Sequence, residues 1–177
     1  MNMITEISKI IKKRGHAEVH YQTAEQVKGG SESGREIKVS SDLVPHPDFT
    51  NAMDAFRFHA VRAIHRELCG DTEIEDFPED AEKEMERLEI KSVEKSGDAM
   101  LAGVVITLTQ KSFDGTKNQI KTGKIRTDLE SSSYPFAEQL ADDWDNLTKE
   151  AVAYVMGEKF SNPQMSLFEP PVEAELY

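Results

Sequence analysis

The amino-acid sequence predicts an α+β domain in two layers, with an antiparallel sheet of about six strands, two main helices and the order β-β-β-α-β-β-β-α. Apolar and polar residues alternate up to about residue 45 and again after about residue 100, which is typical of strands. Between and after these sections, apolar residues recur every three or four positions, which is typical of helices. A length of 177 residues fits one domain.

Three strands are expected first. Isoleucines between Ile4 and Lys12 favour a strand, although their spacing also suits a short helix. Arg14-Gly15 then provides a turn, and alternation over residues 17–22 predicts the second strand. A glycine- and serine-rich stretch at residues 29–34 predicts a flexible loop, and residues 37–43 alternate again as a third strand.

A helix is expected next. Pro45-His46-Pro47-Asp48 ends the third strand and offers residues typical of a helix start. From Phe49 to Leu68 the apolar residues share one face, so we expect a helix that buries this face and ends near Gly70. Ten acidic residues within 71–89 predict a solvated loop with one or two helical turns.

The second alternating section predicts a β-hairpin and a final helix. Residues 102–109 alternate, Asp114-Gly115 is a turn signal, and residues 120–129 return as the partner strand with an irregularity at Gly123. The apolar positions between Phe136 and Val155 then predict a helix that packs against the sheet. We expect residues 1–160 to form one domain.

Composition restricts the classes of partner. The 33 acidic and 21 basic residues give a formal net charge of -12, so the overall field repels nucleic-acid phosphates and anionic membranes. A single cysteine, Cys69, excludes an internal disulfide and a cysteine-rich zinc site. The first 15 residues lack the continuous apolar stretch of a signal peptide or membrane span, so we expect a cytoplasmic protein without a membrane partner.

No residue is assigned to catalysis, and no metal or cofactor is expected. His16 and His20 would lie about 13 Å apart in a strand, too far to share one metal ion. His59 and His65 are interpreted as surface or partly buried histidines, and Cys69 as a buried residue at a helix end. An enzyme whose site is assembled only by the fold remains an alternative.

Residues 161–177 are predicted to form a flexible acidic tail. Pro163, Pro170 and Pro171 oppose a regular helix or strand there. Within this segment, five consecutive residues resemble the bacterial sliding-clamp binding motif, whose consensus is Gln-Leu-Ser/Asp-Leu-Phe. They are Gln164, Met165, Ser166, Leu167 and Phe168, with Met165 as the one departure. The resemblance implies that the partner is a bacterial replication clamp.

The chemistry of the motif suits a short peptide ligand. Leu167 and Phe168 can enter an apolar pocket together, while Gln164 exchanges hydrogen bonds at the rim. Met165 is flexible enough for a subsite that accepts leucine. The competing interpretation is that Leu167 and Phe168 fold back onto the domain.

The body also resembles small uncharacterised proteins encoded by phages and prophages, through residues 44–48 and the strand at residues 103–106. This resemblance implies a context of phage or bacterial DNA metabolism and no particular chemistry. The leading hypothesis is therefore a non-enzymatic accessory protein that is recruited to the clamp or competes there. The alternative is a single-stranded DNA-binding protein with an acidic tail, whose candidate contacts are Tyr21, Lys38, Lys121, Lys124 and Arg126.

Overall fold

A mostly antiparallel sheet and four helices form two layers in this computed structural model, which describes residues 4–26, 32–70, 73, 76–97, 102–127 and 134–161. The α+β prediction is confirmed. The strands of the described chain are β1 (Ile4–Lys12), β2 (Ala17–Gln26), β3 (Glu32–Ser41), β4 (Val44–Pro45), β5 (Leu88–Ser96), β6 (Gly103–Lys111), β7 (Lys117–Lys121), β8 (Ile125–Arg126) and β9 (Phe160–Ser161). Its helices are α1 (Pro47–Ile64), α2 (Arg66–Cys69), α3 (Glu79–Glu86) and α4 (Ala137–Val155).

The main sheet has the strand order β3-β2-β1-β5-β6-β7, and β8 pairs with β6 beside β7. All of these pairs are antiparallel. Strand β1 therefore lies in the middle, between its hairpin partner β2 and the distant β5. A separate two-stranded ladder joins β4 to β9. As a result, the end of the described chain is held next to the segment that precedes α1.

Side-chain alternation gives the sheet one face toward the helices and one polar face. In β2, Ala17 and Val19 are fully buried, whereas Glu18 and Gln22 point to the opposite side. Helices α1 and α4 pack against each other and cover the apolar face, mainly over β5 and β1. The core lies between these two layers.

Local chemistry explains where α1 begins. The His46 Nδ1 atom accepts a hydrogen bond from the Asp48 backbone N–H at 3.2 Å, and Pro47 occupies the first helical position. Phe49, the first residue of the predicted apolar stripe, is buried. The helix stops at Ile64, so the expected continuous helix toward Gly70 is wrong, and the short α2 follows a break at His65.

Two further segments differ from the expectation. Strand β3 already begins at Glu32, within the stretch expected to be a loop, because it pairs with β2 along ten residues. The expected return strand is split into β7 and β8. The acidic segment forms α3 as expected, and Phe77 before it is buried at 7% exposure. No helix in the described part of the chain is long and apolar enough to cross a membrane.

Candidate functional site

The clamp-motif residues Gln164 to Phe168 lie outside the described residues, as does the whole of segment 162–177. The described chain ends at Ser161, three residues before the motif begins. Ser161 pairs with Val44, and its hydroxyl donates a hydrogen bond to the Pro45 carbonyl at 3.2 Å. The point from which the motif segment continues is thus fixed to the body by backbone pairing.

The buried Tyr154 hydroxyl forms hydrogen bonds that connect the end of α4 to this region. The Ala17 backbone N–H donates a hydrogen bond to the Tyr154 hydroxyl at 3.1 Å. That hydroxyl lies 2.6 Å from the Leu43 carbonyl and 3.0 Å from the Ser41 carbonyl, which compete as acceptors for its single proton. Tyr154 is 1% exposed. One side chain thereby joins α4, the start of β2 and the connection between β3 and β4.

An ion-pair cluster holds the segment between α4 and β9. The Lys159 ammonium lies 2.5 Å from an Asp48 carboxylate oxygen and 2.9 Å from one of Glu150. Hydrogen bonds to Asp48 and Glu150 raise the pKa of Lys159. The same contact with Lys159 lowers the pKa of Asp48. The charged forms of these groups therefore favour the observed arrangement at neutral pH.

Four of the five exposed large apolar side chains in the described structure belong to the segments that meet around β4 and β9. These residues are Leu43, Val44, Met156 and Phe160, which are 38 to 48% exposed. The fifth is Phe113, 94% exposed in the β6–β7 turn, with the Arg87 guanidinium carbon 3.9 Å from its ring centre. In the β4–β9 pair Val44 lies opposite Ser161 and Phe160 lies opposite Pro45, so Val44 and Phe160 point to opposite faces of this pair. These residues are exposed apolar side chains on both faces, where the described chain ends.

The candidate DNA contacts on the first hairpin lie on opposite faces of the sheet. Tyr21 pairs with Ile37 and packs against the core, so it faces the helices. Lys38 pairs with His20 and lies on the polar face. The stacking ring and the nearest proposed cation are therefore separated by the sheet.

The remaining cationic candidates lie at the other end of the sheet. Lys121 is in β7, Lys124 follows it, and Arg126 is in β8. Four strand spacings separate β7 from Tyr21 in β2, about 19 Å. Lys121 also lies 3.9 Å from the Glu94 carboxylate on the polar face. The structure does not bring the five candidates together.

A buried polar cluster, which we call the His59 network, joins α1 to α4. His59 is 0% exposed, so its interpretation as a surface or partly buried residue is wrong. Its Nε2 atom lies 2.9 Å from an Asp143 carboxylate oxygen, and its Nδ1 atom lies 2.6 Å from the Tyr134 hydroxyl. A carboxylate can only accept, so Nε2 donates to Asp143, while Nδ1 is within hydrogen-bond distance of the Tyr134 hydroxyl.

The Arg62 guanidinium lies beside this network, inside a cage of aromatic rings. Its central carbon is 4.0 Å from the ring centre of Phe136 and within 5.5 Å of those of Phe58 and Phe77. Phe77 and Phe58 are stacked at 5.2 Å. The cage thus attaches the residues just before α3 to α1 through cation–π and aromatic contacts.

The order of groups in the His59 network is that of a carboxylate, an imidazole and a hydroxyl in a nucleophilic triad. Burial raises the pKa of the Tyr134 phenol well above its usual range, which keeps it protonated, and it also raises the pKa of the Cys69 thiol. His59 is fully enclosed, and the network connects α1 to α4 and to the residue three positions before it. Cys69 is buried at the end of α2, as expected.

The sequence contains one signal for the His59 network. His59 follows Phe56 by three positions and precedes Ala60, so it lies on the buried stripe of α1. A polar residue in such a stripe requires hydrogen-bond partners. Its partners are 75 and 84 positions away, and the sequence does not identify them.

Two surface cavities lie away from these residues. One, of about 460 Å³, is bounded by β1 and α4, with Ile4, Ile7 and Trp144 in its wall. The other, of about 470 Å³, lies between α3 and Phe113. Within the described ranges, no three histidine, cysteine or carboxylate side chains form a group that could hold a metal ion.

No protein-family model matches this sequence, and no match was found among curated proteins or solved structures.

Proposed function

We propose that the protein binds a bacterial sliding clamp through Gln164 to Phe168 and serves phage or bacterial DNA metabolism as a non-enzymatic accessory protein. The observation that carries this proposal is the five-residue match to the clamp motif, with Met165 as its one departure. Binding either recruits the protein to the clamp or blocks the site for other ligands.

The chemistry of the segment favours a partner for it. Leu167 and Phe168 supply adjacent apolar surface, and no lysine or arginine occurs between Ser161 and the C-terminal end of the sequence. Short peptides lose chain entropy on binding and concentrate their affinity in a few buried side chains. We therefore expect micromolar affinity, most of it from these two residues.

Exposed apolar side chains at the end of the described chain support this proposal from the side of the body. Phe168 is seven residues after Ser161, so an extended segment spans at most about 25 Å between them. A partner that holds Leu167 and Phe168 therefore lies within about 25 Å of the β4–β9 pair, which exposes Val44 on one face and Phe160 on the other. Contacts with these side chains would add apolar area to a small peptide interface.

The observed geometry favours this function over the two alternatives. The candidate DNA contacts are divided between two faces and two ends of the sheet, whereas single-strand binding needs stacking rings beside cations along one groove. An enzyme would need its general base within reach of a substrate, and the imidazole of the His59 network is completely buried. Neither alternative has a feature as specific as the motif.

Isothermal titration calorimetry of the full chain against a purified bacterial clamp tests the proposal. The double substitution Leu167→Ala/Phe168→Ala should weaken binding at least about tenfold, which is roughly 1.4 kcal/mol. Gln164→Ala should weaken it less, because it removes hydrogen bonds and no buried apolar area. Val172→Ala/Leu176→Ala is the matched control, since it truncates two apolar side chains in the same segment outside the motif.

Two results would contradict the proposal of clamp binding. An unchanged affinity of the Leu167→Ala/Phe168→Ala protein would exclude the motif as the binding element. No heat with the parent protein, in a titration where a clamp-binding peptide does give heat, would exclude the clamp as the partner. Fluorescence anisotropy with a labelled single-stranded oligonucleotide separates the DNA alternative, which requires submicromolar, salt-sensitive binding.

A further inference from the structure

Strand β3 forms one edge of the sheet and is long for an edge strand. It has ten residues, and no other strand in the described part of the chain pairs with its outer side. The opposite edge has the five-residue strand β7, which carries Lys117 and Lys121 at its two ends. Short strands with lysines discourage pairing at an edge, whereas a long strand invites it.

The side chains of β3 provide complementary charges on one face. Glu36 and Lys38 are both exposed and lie on the polar face, two residues apart. Between them, Ile37 lies on the face toward the helices and is only half-buried. Glu36 lies 3.9 Å from the His20 ring and keeps 57% of its side chain exposed. Both charges are therefore available beside the open edge.

We infer that β3 pairs antiparallel with β3 of a second copy of this chain, which joins the two sheets into one. Directly opposed residues in an antiparallel pair lie on the same face of the sheet. A two-fold axis perpendicular to the sheet must therefore lie between the two copies of one residue, which oppose each other directly. It cannot lie between copies of two neighbouring residues. The central candidates are Glu36, Ile37 and Lys38.

The charges of Glu36 and Lys38 favour the register in which the two copies of Ile37 oppose each other. In that register each Glu36 lies opposite Lys38 of the other copy, which gives two attractive pairs, and residues 33–41 are all opposed. An axis at Glu36 would place the two Glu36 carboxylates opposite each other, and an axis at Lys38 would do the same with the two ammonium groups. Like charges directly opposed are destabilising, so both neighbouring registers are disfavoured.

The expected complex is weak. A single pair of edge strands buries less surface than a typical stable interface, and a net charge of -12 on each chain opposes association. Backbone hydrogen bonds supply the affinity in this kind of strand addition, while side chains set the register. We expect a dissociation constant in the micromolar range. This inference does not depend on clamp binding.

Sedimentation equilibrium of the full chain at about 10 to 300 µM tests the dimer. Lys38→Glu and Glu36→Lys each create two repulsive pairs, and each should weaken dimerisation about tenfold or more. The double variant Glu36→Lys/Lys38→Glu restores opposite charges and should recover the parent affinity. A 1:1 mixture of the two single variants should form a mixed dimer, because both opposed pairs are then attractive.

Controls separate the edge from general charge effects. Lys117→Glu makes the same charge change as Lys38→Glu at the opposite edge and should leave dimerisation nearly unchanged. The thermal midpoint of each variant shows whether β3 itself remains folded. Monomeric parent protein at 300 µM would overturn the inference, as would a dimer that neither single variant weakens. Failure of both the double variant and the mixture to associate would also overturn the Ile37 register.

Discussion

Tyr154→Phe is the sharpest test of how the body holds the root of the tail. The substitution keeps the ring, which lies 5.6 Å from Phe49 between ring centres, and removes only the hydroxyl. The Ala17 N–H, in a residue that is 0% exposed, then loses its acceptor. The carbonyls of Ser41 and Leu43 lose the phenolic proton. No cavity larger than one oxygen atom is created.

The expected loss of stability follows from these hydrogen bonds. A buried donor left without a partner costs about 1 to 3 kcal/mol. For a chain of this size, 1 kcal/mol shifts the thermal midpoint by roughly 2 to 4 °C, so the expected decrease is roughly 2 to 12 °C. Urea unfolding followed by circular dichroism gives the free energy directly, and the slope of the transition should be unchanged.

Tyr21→Phe is the matched control. It removes the same atom from a phenol whose hydroxyl makes no hydrogen bond within the described residues, so its expected cost is below about 0.5 kcal/mol. Equal free energies of unfolding for the two variants would refute the reasoning. That result would mean that water replaces the Tyr154 hydroxyl without cost.

Two further changes test the sheet and the His59 network. In Gly103→Ala, the new Cβ would lie 2.6 Å from the Ile125 carbonyl oxygen, so we expect the free energy of unfolding in urea to fall by about 1 to 3 kcal/mol. In Gly123→Ala, the new Cβ has no atom within 4 Å, and we expect almost no change. Equal effects would contradict the close approach of β6 and β8. Burial raises the pKa of Tyr134 above its unfolded value of about 10, so this protonated phenol stabilises the fold below pH 10 and the contribution is lost as pH rises further. Tyr134→Phe should therefore show a smaller loss of stability between about pH 9 and 11 than the parent, and parallel curves would contradict this.

Local patterns predicted much of the fold because their causes are local. The turn at Asp114-Gly115 needs only a residue that tolerates positive φ, and Gly115 has φ +85°. The beginning of α1 depends on His46 and Pro47, which are adjacent in sequence. In both cases the stabilising contacts are made within a few residues. Sequence periodicity and turn chemistry are sufficient for such elements.

The differences arise where distant residues decide the outcome. The break after α1 is at His65, whose Nε2 atom lies 3.2 Å from the Gln110 side-chain nitrogen and 3.7 Å from a Glu84 carboxylate oxygen. Neither glycine nor proline marks this break in the sequence. Similarly, Gly34 belongs to β3 because it pairs with Ala24 across a long hairpin. Tertiary contacts override local propensity at these positions.

The proposed binding segment and the body should behave as independent thermodynamic units. Tyr154→Phe acts on buried backbone groups, whereas Leu167→Ala/Phe168→Ala acts on residues proposed to contact a separate protein. If neither set contacts the other, their effects on stability add and the triple variant unfolds with the same free energy as Tyr154→Phe alone. Its clamp affinity should equal that of the Leu167→Ala/Phe168→Ala protein. A free energy of unfolding for the triple variant more than about 0.5 kcal/mol below that of Tyr154→Phe would instead show that Leu167 and Phe168 pack on the body, the competing interpretation of the tail. The same cycle thus separates a ligand segment from a structural one without requiring the partner.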